Sequence, residues 1–466
     1  MTGTGRRNAP RNLLGVALAA TFGIGLTGCQ TASPYAAPSF PFQRGFSAAE
    51  RASPVLLSNA NWWTRFNDPV LDSLIDRALA GNLSLEAARE RVVQSRAEFA
   101  TIPGAVSLSP DAQLVTQGAN GGTLTNVGSG NLGFTWLIDP YGGKRAQVRA
   151  ADARALAAGA EVNAAQLLVI QNLANAYVDL RYNQRLLALR SQDLGSRRKT
   201  LALTQSFFDA DSATKLDIVR SQAVVSDIEG QLPGVKAAIA AKKAEIAVLV
   251  GMAPGTLPTD LDKGSALLRP RMVSDVGIPA DLLRNRPDIQ IAERLYYAAL
   301  QDIGAAKAQL YPSLSLGGTI SLTSARGRTS TGYFFGPAVQ FPDLLSKAPR
   351  AAVDARESVA RQAHTSWKST VLQGILEVES SLLTYSAASA AVNSSDRTVR
   401  LYQEAVDLTR DLIERDGATL SDLIDAESSS ASAKATLAEN QRQQARAFVA
   451  LNIALGSGNA YRAAAN

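Results

Sequence analysis

The sequence predicts a mainly α-helical fold with transmembrane β-strands, arranged as two copies of one structural unit. The first observation is a distant repeat, because Asp-Ser-Ala-Thr at 211–214 recurs as Asp-Gly-Ala-Thr at 416–419. Val-Gly at 250–251 recurs as Leu-Gly at 455–456, and both recurrences have the same offset of 205 (416 − 211 and 456 − 251). Periods of about 20–50 residues indicate solenoids, so a period near 205 indicates a duplicated, domain-sized unit.

Each copy contains one long helical segment and shorter ones. Residues from Gly143 to about Asp209 lack proline and are rich in Ala, Leu, Gln and Arg, which predicts a helix roughly 100 Å long. The segment from Lys347 to about Glu414 repeats this composition. Shorter helices are predicted over 214–250 and 419–455, and in the first copy two more begin at Pro69 and Ser84. We expect the shorter helices of each copy to stack end to end beside the long one.

Two segments alternate between apolar and small polar residues, as β-strands do. The cleaner one has Leu314, Leu316, Ile320 and Leu322 on one face, with serine, threonine and glycine between them. It predicts a hairpin at about 312–341, and weaker alternation predicts another at about 111–139. One apolar and one polar face are typical of strands in a transmembrane barrel.

Four strands are too few to close a barrel, since about eight is the smallest number that closes. An open edge in lipid leaves backbone groups unpaired, at several kcal/mol for each group. We therefore expect a homotrimer in which three chains form one 12-stranded barrel.

The N-terminus predicts export and lipid attachment. Arg6, Arg7 and Arg11 precede an apolar run that is too short to span a membrane and that ends before Cys29, the one cysteine of the chain. This region resembles a bacterial lipoprotein signal, which implies an N-acyl diacylglycerol (palmitate-type) anchor on Cys29. An ordinary signal peptide with a chance cysteine is the alternative. The predicted divisions are a signal peptide (1–28), a lipid-anchored tether (29–60), repeat 1 (61–255), a linker (256–278), repeat 2 (279–456) and a tail (457–466).

Composition and motifs exclude several classes of function. The formal charge of +6 includes three leader arginines, so the mature chain carries only +3 and has no basic patch that would indicate nucleic-acid binding. No nucleophile, phosphate loop or Cys/His cluster appears, so we predict no enzyme activity, metal site or cofactor. His364, the one histidine, is expected to be solvated.

Several motifs then resemble a known family. The run Asp-Leu-Leu-Arg-Asn-Arg-Pro-Asp-Ile at 281–289 and Tyr-Pro-Ser-Leu at 311–314 resemble the second repeat of outer membrane factors, the TolC-like channels of efflux pumps. Trp62, Trp63 and Phe66 resemble the opening motif of the NodT/OprM-type lipoprotein branch. The resemblance implies a trimeric 12-stranded β-barrel in the outer membrane on a 12-helix periplasmic barrel. It also implies a belt formed by the linker and tail, a periplasmic adaptor (membrane fusion) protein and an inner-membrane transporter of the RND type.

The turns between the paired helices are the candidate functional sites. Symmetry would bring acidic tip residues of three chains together at a periplasmic gate, with arginines to tie them closed. The candidate gate residues are Asp416, Asp211, Asp209, Arg410 and Arg415. The candidate adaptor contacts are Ser212, Ala213, Thr214, Gly417, Ala418 and Thr419.

Simpler structural roles compete with these assignments. Thr214 and Thr419 each precede an aspartate by three residues, which predicts a helix-capping box. Gly417 is expected to supply positive φ. The tip aspartates can equally belong to solvated turns.

The leading functional prediction is the outer-membrane exit duct of a tripartite efflux pump for drugs or other small molecules. An outer-membrane duct for type I protein secretion is the alternative. A lipid-anchored coiled-coil scaffold without a pore is a third hypothesis of another class, which the alternating hairpins disfavour.

Overall fold

The fold is seen in a computed structural model that describes most of the mature chain. The described residues are 38, 40, 61–102, 104–118, 124–257, 261–262, 266–270, 285–343, 345–413, 415 and 417–457. Two compact units divide them. The sheet unit combines Val93–Ala157 with Ala292–Trp367, and the helical unit combines the described parts of Phe40–Val92, Ala158–Ile291 and Lys368–Asn466.

The secondary structure repeats its order in the two halves of the chain. Helix, β-hairpin, long helix and shorter helix follow one another twice, which is the predicted duplication. In chain order the elements are α1 (Pro69–Gly81), α2 (Leu83–Ala100), β1 (Val106–Gln117), β2 (Thr125–Ile138), α3 (Gly143–Asp209), α4 (Lys215–Leu249), α5 (Pro287–Ala308), β3 (Ser313–Ala325), β4 (Arg328–Gln340), α6 (Ala348–Ile413) and α7 (Leu420–Ala454). A 3₁₀ turn at Trp62–Phe66 precedes α1.

The four strands form one antiparallel sheet in the order β1-β2-β3-β4. The central pairing joins the two repeats, since β2 lies against β3 with Leu132 opposite Ile320. Within the described residues, β1 and β4 each pair on one side only. Each therefore presents a row of backbone donors and acceptors along its outer side.

The register sorts the side chains onto two faces, because successive residues of a strand point in opposite directions. One row of the apolar face is Val106, Trp136, Leu316 and Pro337, and another is Pro110, Leu132, Ile320 and Tyr333. The opposite face has rows such as Ser107, Thr135, Gly317 and Gly336. The alternation predicted for β3 thus extends over all four strands.

Strand β1 begins at Val106, about five residues before the expected start near Asp111. Pro110 obscured this start, because proline within an apolar and polar alternation is typical of a strand end. Pro110 lies inside β1 opposite Leu132, and Pro337 lies inside β4 opposite Leu316. Both are on outer strands, where proline is tolerated because it interrupts the pairing of a single ladder.

Close helix packing supports the sheet at its helical end. Gly143 begins α3 against α5, and a Cβ added to it would lie 2.5 Å from the Cβ of Ala308. Tyr141 and Tyr311 stack beside this contact, with ring centroids 4.6 Å apart. Only glycine fits the corner, so Gly142-Gly143-Lys144 has a structural role.

The core of the helical unit contains the opening motif of the chain. Trp62 and Phe66 pack edge-on against Phe448 of α7, with centroids 6.0 Å and 5.3 Å away. Leu173 and Tyr177 of α3 are fully buried in the same cluster. Trp62 and Phe66 therefore anchor the segment before α1 to helices of both repeats.

A polar network crosses this core. Asp68 caps α1 by accepting the backbone N–H of Val70 at 3.0 Å, and its second oxygen accepts the Tyr177 hydroxyl at 2.8 Å. Burial raises the pKa of the Tyr177 phenol, so it stays protonated and donates. Arg181 donates to the same hydroxyl oxygen, and Gln184 holds the carbonyl of Leu261 at 2.5 Å. The described part of the linker at Leu261 is thereby fixed to α3.

Two equivalent junctions stack the shorter helices end to end, as expected. At the first, the Asn82 side chain donates to the carbonyl of Leu249, the last residue of α4, at 2.7 Å. Its oxygen accepts the N–H of Ser84 at 3.0 Å and so caps α2. At the second, Arg286 donates to the carbonyl of Ala454, the last residue of α7, at 2.7 Å. Asn82 and Arg286 thus satisfy helix ends that would otherwise be buried without partners.

Arg286 also forms ion pairs with Asp288 and Glu377, each at 2.7 Å. The Arg-Pro-Asp motif therefore has a structural role at this junction.

Each junction also depends on a glycine in the left-handed region. Gly251 (φ +79°) ends α4 with a bond from Met252 N–H to the Ala247 carbonyl, and Gly456 (φ +68°) ends α7 in the same way. This is the Schellman arrangement. The repeated Val-Gly and Leu-Gly pairs therefore mark helix ends that abut another helix.

The described residues contain neither a membrane-spanning helix nor a group of metal ligands. No described helix is long and apolar enough to cross a membrane. In the described part of the chain, no three His, Cys, Asp or Glu side chains are grouped to hold a metal ion.

The expectation that His364 is solvated is wrong. Its ring stacks on Tyr296 and Trp367, with centroids 5.0 Å and 5.9 Å away, and is half-buried. Tyr296 lies in α5, a separate helix, so neighbours along α6 could not indicate this contact.

Replacing Gly251 by alanine tests the first junction. A Cβ there would lie 2.0 Å from the carbonyl oxygen of Gly81, in addition to the left-handed strain. Gly255 (φ +85°) is the matched control, since it has the same strain but open space around it. We expect Gly255→Ala to lose about 1–2 kcal/mol of stability and Gly251→Ala at least twice that. Thermal unfolding followed by circular dichroism measures both, and equal losses would contradict the packed junction.

Candidate aperture at the helix tips

The first tip is a tight turn that joins α3 to α4. Asp211 adopts φ 55°, and the next residue, Ser212, donates its N–H to the Phe207 carbonyl at 2.7 Å. Asp211 donates its own N–H to Phe208 at 3.0 Å. Together these bonds form a Schellman ending in which an aspartate occupies the usual glycine position. Aspartate is among the few residues that tolerate this conformation.

The second tip repeats this turn between α6 and α7. Gly417 N–H donates to the Leu412 carbonyl at 2.8 Å, the bond equivalent to that of Ser212. The expectation that Gly417 takes positive φ is wrong, because it is absent from the described residues with positive φ. Gly417 is the equivalent of Ser212 in the first tip, which follows the left-handed Asp211. Asp416, the equivalent of Asp211, lies outside the described residues, as does Cys29.

Both shorter helices begin with the predicted capping box. Thr214 accepts the N–H of Asp217 at 3.3 Å, and the Asp217 carboxylate accepts the N–H of Thr214 at 2.9 Å. Thr419 and Asp422 make the same pair of bonds at 3.2 Å and 2.8 Å. These four residues are therefore committed to starting helices.

The threonine hydroxyls also lower the pKa of both aspartates, with the threonine backbone N–H adding to the effect. Because the folded pKa is the lower one, each box contributes fully above the ordinary carboxyl pKa. That contribution is lost as the pH falls through the lowered value.

The remaining tip residues differ in their surroundings. Asp209 accepts the Gln205 side chain at 2.9 Å, and Arg415 pairs with Asp411 at 3.0 Å on its own helix. Ala213 and Ala418 are half-buried. The exposed candidates of the described tips are Asp209, Asp211, Ser212, Thr214, Arg415, Gly417 and Thr419. Small side chains, the carboxylates of Asp209 and Asp211, and the Arg415 guanidinium thus form the accessible surface of these candidates.

Within the described residues, Arg410 pairs with carboxylates other than those of the tips. It donates to Glu427 of α7 at 2.7 Å and lies 3.9 Å from Asp407 on its own helix. A tie between Arg410 and the tip aspartates of another copy stays a prediction.

Glu427 is the centre of a buried polar cluster that the sequence analysis missed. Its carboxylate lies 3.4 Å from Arg197, and it accepts the hydroxyls of Ser196 at 3.0 Å and Thr200 at 3.1 Å. Arg197 also donates to the carbonyl of Ile424 at 2.9 Å. The cluster therefore joins α3, α6 and α7. Glu427 is eight residues after Thr419, which is about 12 Å along the helix.

Asp193 completes this cluster, since it lies 3.3 Å from Arg197. Burial raises its pKa, and the neighbouring Arg197 and Arg190 oppose that shift. Two cationic side chains, Arg197 and Arg410, thus face two acidic ones, Asp193 and Glu427, in the cluster. The sequence held one signal of this cluster, because Glu427 lies one helical turn from both Leu423 and Ser430, which are buried on the same face of α7.

A groove of about 710 Å³ lies over the cluster between α3, α6 and α7. Its walls combine apolar side chains, such as Leu203 and Phe207, with the cations Lys199 and Lys434. The tips and this groove hold no arrangement of acid, base and nucleophile among the residues described there. What they offer is a charged, hydroxyl-rich surface next to a polar connection between helices.

Comparison with known proteins now identifies the family. The family model described as outer membrane efflux protein matches residues 74–252 and 278–457, two segments that follow the repeat. This chain belongs to the outer membrane efflux protein family. Its members are non-enzymatic transport components, as the absence of a catalytic motif predicted. The resemblance to outer membrane factors is confirmed.

Relatives and solved structures agree with this family. Nodulation protein T of Rhizobium leguminosarum bv. trifolii is 35% identical over 451 residues, covering 94% of this chain and 96% of that protein. The toluene efflux pump outer membrane protein TtgF of Pseudomonas putida is 29% identical over 374 residues, covering 73% and 76%. The solved outer-membrane channel OprN is 26% identical with a TM-score of 0.82, covering 92% and 99%. The predicted fold class, helical with antiparallel strands as in TolC-like channels, is confirmed.

Replacing Arg197 by alanine tests the buried cluster. The substitution removes one cationic partner of the buried Glu427 carboxylate. Breaking a buried ion pair costs about 3–5 kcal/mol of stability. Arg198 is the matched control, because its ion pair with Glu229 is exposed and is worth at most about 1 kcal/mol. We expect a large drop in the thermal midpoint for Arg197→Ala and a small one for Arg198→Ala. Similar drops would show that the cluster does not hold the helices together.

Proposed function

We propose that this protein is the outer-membrane exit duct of a tripartite efflux pump, through which small organic molecules leave the periplasm. The observation that carries the proposal is the two-faced, four-stranded sheet whose outer strands each pair on one side. Apolar residues on one face suit lipid, and serine, threonine and glycine on the other suit water.

Three copies of the sheet supply the closure. Edge-to-edge pairing of β4 with the next chain's β1 gives a ring in which every backbone group has a partner. Twelve strands leave a water-filled interior, whereas about eight would be filled by side chains. Each chain supplies two long helices, α3 and α6, and two stacks of shorter helices. Three chains therefore form the 12-helix periplasmic part of the duct.

Small organic molecules are the proposed cargo. The relative from Pseudomonas putida is named for toluene efflux, which favours apolar and aromatic solutes. The duct itself is passive, so the cargo is selected by an inner-membrane transporter, which we propose to be of the RND type. The runner-up is type I protein secretion, which the printed names of the relatives reported above do not mention.

A lipid on Cys29 anchors the chain in the outer membrane. The basic leader, the apolar run and the single cysteine support this modification, and the acyl chains add membrane affinity to that of the sheet. Residues 30–60, which the sequence predicts to be a tether, separate Cys29 from the buried Trp62.

The helix tips form the periplasmic aperture and bind the adaptor. In a trimer, Asp209, Asp211 and Asp416 would each be present three times, and rings of carboxylates favour cations and repel one another. The Arg197 and Arg410 contacts of Glu427 hold the helices behind the tips. The adaptor contact consists of residues 212–214 and 417–419, where small side chains permit close packing of another protein's helical tips.

A pair of adjacent arginine substitutions tests the duct. Ile320 is on the apolar face and Thr319 on the polar face. Arginine at a lipid-facing site in mid-membrane costs about 2–4 kcal/mol, whereas arginine facing water is tolerated. We expect Ile320→Arg to abolish outer-membrane assembly and to make cells as sensitive to toluene as a deletion strain. We expect Thr319→Arg to preserve both outer-membrane assembly and toluene tolerance.

Each competing hypothesis has its own outcome in this experiment. A scaffold without a pore would tolerate both substitutions. A secretion duct would leave the solvent tolerance of the deletion strain unchanged.

Removing the carboxylate of Asp416 tests the aperture. If a ring of aspartates takes part in closing the entrance, Asp416→Ala raises the current through single trimers in planar bilayers. Asp396 is the control, since it is a surface carboxylate of the preceding helix that pairs with Arg400 at 2.6 Å. Asp396→Ala should leave the current at the wild-type level. An unchanged current for Asp416→Ala contradicts the gate but not the duct.

A further inference from the structure

One aromatic side chain departs from the pattern of the polar face. Phe334 of β4 pairs with Thr319, and the same row continues through Gly133 to Ser109. The other residues of its own row and of the two adjacent rows on this face are serine, threonine, glycine, asparagine and aspartate. Among the described strand residues, Phe334 is the one aromatic on this face.

The neighbours of Phe334 leave its ring open. Gly332 and Gly336 flank it on the same face of β4, and Gly336 pairs with Gly317. A Cβ added to Gly336 would lie 3.6 Å from Cζ of Phe334, so the ring leans along the strand over a residue without a side chain. The side chain is 66% exposed.

Phe335, the next residue, has a different environment. It is on the apolar face, and a Cβ added to Gly318 would lie 2.1 Å from Cδ1 of its ring. Phe335 therefore fills the space over Gly318 on the face assigned to lipid. The same reasoning does not explain Phe334, whose exposed ring faces the water side.

We propose that Phe334 forms an aromatic binding station inside the barrel, which retains planar aromatic solutes, and cationic ones most strongly, on their way out. The proposal rests on the proposed function, because it takes the polar face as the duct interior. Three chains would supply three rings at one height. Aromatic pairs gain about 0.5–1.5 kcal/mol beyond burial, and a cation over a ring gains a similar amount.

The charge nearest to Phe334 on the same face favours cations. The described strands have two charged residues, Asp111 and Arg328, and Arg328 is the more distant, six residues before Phe334 in β4 and about 20 Å along the strand. Asp111 lies one row away from the row of Phe334, where it pairs with Asn131 and accepts its side chain at 3.2 Å. Three copies of this carboxylate would make the interior near the rings negative. An aromatic cation therefore gains from both groups, whereas an aliphatic cation gains from Asp111 alone.

Thiol labelling in lipid nanodiscs tests the station without depending on the gate. Thr319→Cys places a thiol opposite Phe334, and Ile320→Cys places one on the other face. We measure labelling by a membrane-impermeant maleimide with tetraphenylphosphonium and with tetrabutylphosphonium, which has the same charge but no ring. Tetraphenylphosphonium should slow labelling of Thr319→Cys at a concentration about two- to tenfold lower than tetrabutylphosphonium.

Second substitutions in the Thr319→Cys chain identify the ring. Phe334→Ala and Phe334→Leu should abolish the difference between the two cations, Phe334→Tyr should keep it, and Phe335→Leu on the opposite face should leave it intact. Phe334→Leu keeps an apolar side chain of similar size, so it separates loss of the ring from disturbance of the strand.

The outcomes separate this proposal from the proposed function. Equal protection by both cations, or protection that survives Phe334→Leu, overturns the aromatic station alone. Labelling of Ile320→Cys in preference to Thr319→Cys overturns the assignment of the water-facing side, and the station with it.

Discussion

The outer strands β1 and β4 impose the constraint on which the rest of this structure depends. Each has a full row of backbone donors and acceptors on the side where no described strand pairs with it. Water can satisfy these groups, but hydrocarbon cannot, and each unsatisfied group costs several kcal/mol in lipid. A sheet with one apolar face therefore needs further copies of itself. Closure by copies explains why a chain of this length has a described sheet of only four strands.

Duplication provides the other half of the design. The same hairpin occurs twice, and β2 and β3 join the two copies in one sheet. The last carbonyls of α4 and α7 also accept side-chain hydrogen bonds in the same way, although from different residues. Asn82 satisfies the end of α4 with one amide, whereas Arg286 satisfies the end of α7 and binds two carboxylates as well. The two repeats share the geometry of the junction and differ in its chemistry.

Much of this arrangement could be predicted because it depends on local chemistry. The capping boxes at Thr214 and Thr419 follow from residues three apart, and the strands follow from a period of two. The start of β1 could not be predicted because Pro110 lies inside the strand. A proline is tolerated there because the strand is at the edge of the sheet, which the sequence does not reveal. The residue with positive φ in the first tip is Asp211, although the sequence analysis expected this conformation at Gly417 of the second tip.

Contacts between helices distant in the chain could not be predicted from the sequence. Arg197 and Glu427 are 230 residues apart, and each alone resembles an ordinary charge on a helix. Their pairing follows only from the packing of α3 against α7, and the same holds for His364 against Tyr296. The faces of the sheet were predictable, but the isolation of Phe334 among glycines required the register of β3 and β4. What remained hidden therefore depends on tertiary packing and pairing.

Disulfide cross-linking between the outer strands tests the closure most directly. Ser109→Cys places one thiol in β1, and a second thiol is placed in turn at Ser330, Gly332 and Gly336 of β4. The proposed lipid occupies the sulfur of Cys29, so that residue does not take part in disulfides. For at least one combination, oxidation in membranes should yield a covalent trimer and nothing larger, because a closed ring has no free edge. Chains that stay monomeric in every combination, or a ladder that continues past three copies, would contradict the account.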